Sequence, residues 1–158
     1  VTAFMEDDDI NWAEDRAIIR SMVLKTFKEI TQENLNDFEL MELSYNWEDD
    51  KEFFIKLYND TLDLDTEYRS MIAQRTKNWD VERLAAVDRI TIEMAVAEMI
   101  NFPSIPVTVT INEYIELAKN YSTPKSKQFI NGILDTISKD LTKDDKIRKS
   151  GRGLIDNK

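Results

Sequence analysis

The sequence predicts an all-α protein of a single domain, and three observations support that fold class. Only three glycines and three prolines occur among 158 residues, so few residues interrupt regular structure. The long stretches between them carry apolar residues at helical spacing. Hydrophobic residues make up 42% of the chain, which is enough for a globular core. The sequence contains no cysteine or histidine, which excludes a disulfide framework and the commonest metal ligand.

The first fifty residues predict a flexible segment, a helix and a connection. Residues 1–11 hold Glu6 and Asp7–Asp9 without the spacing of a calcium loop, so we expect a solvated acidic segment. A helix is predicted over residues 12–30 from an apolar stripe of Ile19, Val23 and Phe27, flanked by Met22 and Ile30. Residues 31–47 fit either a loop or a short helix.

A second helical region follows as far as about residue 75. Asp49 and Glu52 have capping-box spacing immediately before Phe53, which predicts a helix start there. One face then stays apolar along the whole stretch, through Phe54, Leu57, Tyr58, Thr61, Leu64, Tyr68 and Ile72. The pattern predicts one long helix or a kinked pair.

Residues 78–101 predict the central helix of a bundle. Asp80 is a good N-cap, and Trp79 with Leu84 has the spacing of a hydrophobic staple. The helix body is apolar almost all round, as expected of a buried helix. Asp88 and Glu98 lie ten residues apart, roughly 15 Å along a helix, so they cannot act as a catalytic carboxylate pair. We expect Asp88 to form an internal ion pair with an arginine.

Residues 104–121 fit two patterns. Val107, Val109 and Ile111 alternate with threonine as in a strand, but the alternation ends at Asn112. A helical stripe that begins after Pro106 persists to residue 121, so we predict a helix.

The stretch STPKSKQFINGILDTI, residues 122–137, predicts the last helix, with Thr123 as its N-cap. The core face is formed by aliphatic residues on an arc roughly 100° wide: Ile130, Ile133, Leu134, Ile137 and Leu141. Phe129 lies roughly 40° outside this arc, and Gly132 lies near the opposite side. Phe129 therefore fits either an outward ring that stacks on an unpaired base or a boundary core residue.

Charge is distributed unevenly along the chain. Residues 1–50 carry 14 acidic and 4 basic residues, whereas residues 125–158 carry 5 acidic and 9 basic ones. A net charge of −10 argues against non-specific nucleic-acid binding, yet the basic end allows a local anionic contact. With no apolar run of 18 residues and no signal-peptide pattern, we expect a cytoplasmic protein. The chain starts at Val1, so we expect it to be part of a longer protein.

Three stretches together resemble the NusB family of bacterial transcription antitermination factors. They read NWDVERLAAVDRITIEMAVAEMI, IPVTVTINEYIELAKNY and STPKSKQFINGILDTI. The likeness is nearest to the carboxyl-terminal part of the long form found in Bacteroidetes-like bacteria. It implies six or seven helices in two small bundles, with residues 12–141 forming the helical RNA-binding domain. The acidic run predicts that residues 1–11 are flexible, and the polar, charged composition of residues 142–158, with two glycines, predicts a basic, disordered tail.

The resemblance also implies a function without catalysis or cofactor. Family members bind boxA-type single-stranded RNA together with ribosomal protein NusE, within the antitermination complex of RNA polymerase. Carried over by motif, the implied RNA-binding positions are Lys125, Ser126, Lys127, Gln128, Phe129 and Asn131, with Arg16 and Arg20 on the first helix. Glu98 corresponds to the family's NusE-facing glutamate.

One departure from the family pattern leaves two alternatives open. The family's first helix is rich in arginine, whereas Glu14 and Asp15 occupy part of it here. The chain could be a NusB-like module appended to a ribosomal RNA methyltransferase, although it has no glycine-rich nucleotide loop of its own. It could also be a protein-interaction domain that has lost RNA binding.

Overall fold

The computed structural model describes residues 12–40, 42, 44–76 and 86–157. Within these ranges all regular secondary structure is helical and there is no strand, which confirms the all-α prediction. The elements are α1 (Trp12–Glu29), α2 (Trp47–Leu62), α3 (Thr66–Thr76), α4 (Ala86–Asn101), α5 (Val107–Tyr121), α6 (Ser126–Lys143) and a C-terminal 3₁₀ helix (Gly151–Asn157). They fall into two compact units, Val1–Asp50 and Lys51–Lys158. The acidic segment 1–11 and the predicted cap and staple at Trp79, Asp80 and Leu84 lie outside the described residues.

In the first unit, α1 is followed by a connection whose described residues include no further helix. The side-chain oxygen of Asn34 accepts a hydrogen bond from the Thr31 backbone N–H at 2.6 Å. The side-chain amide of Asn34 donates to the Glu29 carbonyl at 2.9 Å, which satisfies an acceptor at the helix end. The described residues between 31 and 46 therefore form a loop, which was one of the two predicted alternatives.

Helix α2 begins at Trp47, two residues before Asp49, so the predicted cap is misplaced. The Asn46 side-chain oxygen accepts from the Asp49 backbone N–H at 3.4 Å, and the Ser44 hydroxyl donates to the Asp50 carboxylate. Asp49 instead lies in the first turn, where its negative charge interacts favourably with the positive end of the helix dipole. The capping-box spacing predicted the wrong N-cap because Asn46, three residues earlier, is an equally good cap.

The helical region over residues 47–76 is a pair of helices rather than one. It breaks at Asp63, where the chain turns and buries Leu64. The Arg69 guanidinium donates to the Leu62 carbonyl at 2.8 Å, and the Tyr68 backbone N–H bonds to the Asp65 carbonyl at 3.0 Å. These bonds satisfy the end of α2 and the start of α3.

Helix α4 lies at the centre of the second unit, as its apolar composition predicts. It packs on α3, α5 and α6. The core around it consists of residues with almost no exposed surface, chiefly Ile92, Ala95, Val96 and Met99 of α4, Tyr114 and Ala118 of α5, and Ile130, Leu134, Ile137 and Leu141 of α6. Helix α5 spans residues 107–121, which confirms the helical reading of the ambiguous stretch.

The prediction of a disordered tail over residues 142–158 is wrong. Residues 142 and 143 continue α6, and the 3₁₀ helix packs on α5. The backbone N–H of Ser150 donates to the Pro103 carbonyl at 2.9 Å, and Lys149 Nζ donates to the Phe102 carbonyl at 3.0 Å. Hydrogen bonds to main-chain carbonyls require no apolar periodicity in the sequence. The prediction therefore depended on composition alone, and the composition is typical of disorder. None of the helices described is long and apolar enough to cross a membrane.

Candidate nucleic-acid interface

The turn between α5 and α6 is organised by hydroxyl groups. The Ser126 backbone N–H donates to the Thr123 carbonyl at 2.9 Å, and the hydroxyls of the same two residues lie 2.9 Å apart. Helix α6 itself begins at Ser126, with Lys125 in the N-cap position and no side-chain cap. The predicted cap at Thr123 thus belongs to the turn that precedes the helix.

The buried carboxylate of Asp88, on α4, holds this turn. It is 4% exposed and accepts hydrogen bonds from Ser122 Oγ and from Ser126 Oγ, the latter at 2.8 Å. Among the described residues its partners are thus hydroxyls, where an arginine was predicted. Two hydroxyl donors satisfy the carboxylate oxygens, which removes much of the penalty of burial. A carboxylate in an otherwise apolar helix, together with a hydroxyl-rich turn later in the chain, is the sequence signal for this cluster.

Four of the predicted RNA-binding residues lie on the solvent side of the start of α6. Lys125, Lys127, Gln128 and Asn131 are all exposed. At about 100° per residue they occupy an arc roughly 160° wide that is centred away from the core, with Lys127 at its border with the buried side. Two cations and two amides are therefore brought together within the first turns of one helix, and we call these four residues the α6 edge.

The other two predicted residues of this helix face inward. Phe129 is 9% exposed and belongs to the core cluster, so the expectation of an outward stacking ring is wrong and the boundary-core alternative describes it. Ser126 is 3% exposed, with its hydroxyl on Asp88. The buried arc of α6 is roughly 180° wide, because both α4 and α5 pack on it, and the aliphatic stripe marked only part of that arc.

Gly132 leaves bare backbone on the exposed side of α6. A Cβ atom built at this position would meet no described atom within 4 Å. Glycine destabilises a helix interior by roughly 1 kcal/mol relative to alanine. No described neighbour of the chain explains the glycine.

The two arginines predicted to add RNA affinity belong to the first unit. Arg16 and Arg20 are exposed and four residues apart on α1, so they share one side of that helix. The same helix also exposes Val23 and Phe27, at 47% and 68%.

Glu98, predicted to face a protein partner, is buried inside the second unit. Its carboxylate is 5% exposed and accepts from Thr110 Oγ1 at 2.7 Å and from the Tyr114 hydroxyl at 3.0 Å. Burial, and secondarily the neighbouring Glu98 carboxylate, raises the pKa of Tyr114 well above its usual range. The network joins α4 to α5, and a role for Glu98 in partner binding stays a prediction.

Within the described part of the chain, no cluster of three or more acidic, histidine or cysteine side chains is arranged to hold a metal ion. The polar groups described above in the second unit are the two hydroxyl–carboxylate clusters, around Asp88 and Glu98, and the α6 edge.

Comparisons with known proteins give a consistent assignment. The model of the NusB family matches residues 15–139. The transcription antitermination protein NusB of Salinibacter ruber is 40% identical over 105 residues, which are 66% of this chain and 66% of that protein. The protein of the same name from Chloroherpeton thalassium is 40% identical over 106 residues, 67% of this chain and 50% of that protein.

A solved structure of T. maritima NusB is 33% identical and covers 76% of this chain and 89% of its own, with a TM-score of 0.48. The chain thus aligns with about two thirds and half the length of the two curated relatives. The match to the family model covers most of the chain, from α1 to α6. The chain belongs to the NusB family.

Proposed function

We propose that this chain is a non-enzymatic transcription antitermination factor that binds boxA-type single-stranded RNA together with ribosomal protein NusE. Family membership supports the proposal, as do relatives that are named transcription antitermination proteins. The observation that carries it is the α6 edge: two lysines and two amides are exposed at the start of one helix, beside the bare backbone of Gly132.

Each group of the α6 edge has a distinct part in this proposal. Lys125 and Lys127 hold phosphates, which supplies affinity without sequence information. Gln128 and Asn131 donate and accept hydrogen bonds at base edges or sugars. Phe129 supports the edge from the core beneath it and does not stack on a base. Arg16 and Arg20 add cationic contacts from α1.

The protein partner in this proposal is the ribosomal protein NusE. The net charge of −10 over residues 1–50 provides an acidic surface that suits a basic ribosomal protein. Glu98 contributes indirectly, because its buried carboxylate accepts hydrogen bonds from Thr110 and Tyr114 and so holds α4 against α5. RNA and NusE together would recruit the chain to the antitermination complex of RNA polymerase.

A salt titration tests the RNA-binding part. The affinity for a labelled boxA RNA is measured by fluorescence polarisation at salt concentrations from roughly 50 to 200 mM, with and without NusE. Each lost phosphate contact lowers the slope of log affinity against log salt by about 0.7 for single strands. The double variant Lys125→Gln/Lys127→Gln should therefore lose about 1.4 from this slope, whereas Lys51→Gln on α2 should leave it unchanged. Absence of wild-type binding in the presence of NusE would refute the proposal.

A further inference from the structure

The cluster around Asp88 has a defined hydrogen-bond direction. A serine or threonine hydroxyl carries a single hydrogen. Ser122 and Ser126 both give theirs to Asp88, so the hydrogen between Thr123 and Ser126 must come from Thr123. The 2.9 Å separation of the Ser122 and Ser126 hydroxyls adds no further bond for the same reason. One carboxylate thus orders three hydroxyls.

The same carboxylate joins the two ends of the turn. Ser122 is the C-cap of α5, where its backbone N–H donates to the Ala118 carbonyl at 3.1 Å. Ser126 is the first residue of α6, and Lys125 and Lys127 are its two neighbours in the chain. Any movement of the turn that displaced these lysines would have to break a bond to Asp88.

We propose that Asp88 is a positioning residue for RNA binding, which fixes the α5–α6 turn so that Lys125 and Lys127 are placed before RNA arrives. This inference rests on the proposed function. Ordering a long side chain at an interface costs about 0.5–1.5 kcal/mol of binding free energy. A backbone that is already fixed before RNA binds lowers this cost. Loss of the Asp88 cluster should therefore weaken RNA binding without removing any group that touches RNA.

A second buried carboxylate provides a matched control. Glu98 lies on the same helix as Asp88 and also accepts a hydroxyl hydrogen bond, from Thr110 on α5. Both clusters join α4 to a later part of the chain, but only the Asp88 cluster includes residues of the turn and the start of α6. Ser122→Ala removes a partly buried hydroxyl donor and Thr110→Val a fully buried one. Each leaves a buried carboxylate one donor short, so Thr110→Val should lower the free energy of unfolding at least as much as Ser122→Ala.

The experiment combines two measurements on the full chain. Hydrogen exchange in the absence of RNA reports the turn, through the backbone amides of Ser126 and Phe129, which donate to the Thr123 and Lys125 carbonyls at 2.9 and 3.3 Å. Polarisation with labelled boxA RNA, without NusE, reports affinity. Asp88→Asn and Ser122→Ala should accelerate exchange at both amides and weaken RNA binding roughly three- to tenfold, whereas Thr110→Val should change neither.

A rescue variant separates positioning from general destabilisation. Ser122 has an extended backbone, with φ −133° and ψ −165°, which threonine also adopts readily. Ser122→Thr keeps the hydroxyl and should restore both slow exchange and wild-type affinity. Should Asp88→Asn fail to fold, Ser122→Ala and Ser122→Thr decide the question by themselves.

Three outcomes would overturn the inference. They are unchanged exchange at the turn in Ser122→Ala, faster exchange with unchanged RNA affinity, and an equal loss of affinity in Thr110→Val. A wild-type chain that binds no RNA even when NusE is added would instead refute the proposed function. In that event the exchange measurement alone would decide whether Asp88 fixes the turn.

Discussion

The buried position of Phe129 leads to a prediction that separates a core residue from a base-stacking residue. The side chain is 9% exposed, so nearly all of its surface is removed from water on folding. Burial of an aromatic side chain removes about 200 Å² from water, or about 5 kcal/mol at 25 cal/mol per Å². Phe129→Ala keeps part of that contribution, so we expect it to lower the free energy of unfolding by about 3–5 kcal/mol.

A conservative substitution at the same position provides the sharper test. Phe129→Leu retains an apolar side chain of similar volume and should lower the free energy of unfolding by less than about 1.5 kcal/mol. It should leave the affinity for boxA RNA unchanged, because the ring does not reach a base. A stacking ring would behave in the opposite way and would lose about 1–3 kcal/mol of binding free energy when replaced.

Urea unfolding followed by circular dichroism gives the stability of both variants, and fluorescence polarisation gives the RNA affinity of Phe129→Leu. Tenfold weaker RNA binding with near-normal stability in Phe129→Leu would show that the reasoning is wrong. A loss below about 1 kcal/mol in Phe129→Ala would contradict the assignment of this ring to the core.

Three further predictions concern stability. Gly132→Ala should raise the free energy of unfolding by about 0.5–1 kcal/mol in urea unfolding, because the added Cβ meets no described atom, and it should weaken RNA binding if RNA approaches this backbone. Gly153→Ala should lower the melting temperature, because its Cβ would collide with the Pro103 carbonyl oxygen; Asn131→Ala, on an exposed surface, serves as a control. Tyr114 should keep its proton in the folded chain above pH 10, where tyrosines of the unfolded chain ionise, so the free energy of unfolding should decline as pH rises beyond about 10. That decline should be smaller in Tyr114→Phe, and equal slopes in alkaline urea titrations would contradict it.

The helices were predictable where the pattern of residues within one segment is enough to indicate a helix. The all-round apolar character of residues 86–101 predicts a central helix, and the persistence of the stripe to residue 121 identifies α5 as a helix. The break at Asp63 was less predictable, because the apolar face of α2 continues in phase into α3. Leu64 is buried at the break itself and so extends the stripe across it.

The candidate site was predictable only in part, because it depends on contacts between distant segments. Lys125 and Lys127 were identified from a motif, and both are exposed at the start of α6. The inward position of Phe129 depends on a second packing neighbour, which the periodicity of one helix does not reveal. The partners of Asp88 lie 34 and 38 residues away, and no local pattern indicates that pairing.

The C-terminal segment packs against the rest of the second unit through contacts that require few particular residues. Two of its anchors use the carbonyls of Phe102 and Pro103, acceptors that any residue offers. Its two glycines are more demanding, since Gly151 has a φ of 54° and Gly153 has no room for a side chain, and Ile147 packs against the core. If residues 150–155 were randomised and folded chains selected, both glycines should survive while the intervening Arg152 drifts. Divergent relatives would then be recognised in this region by a spaced glycine pair and not by its charge.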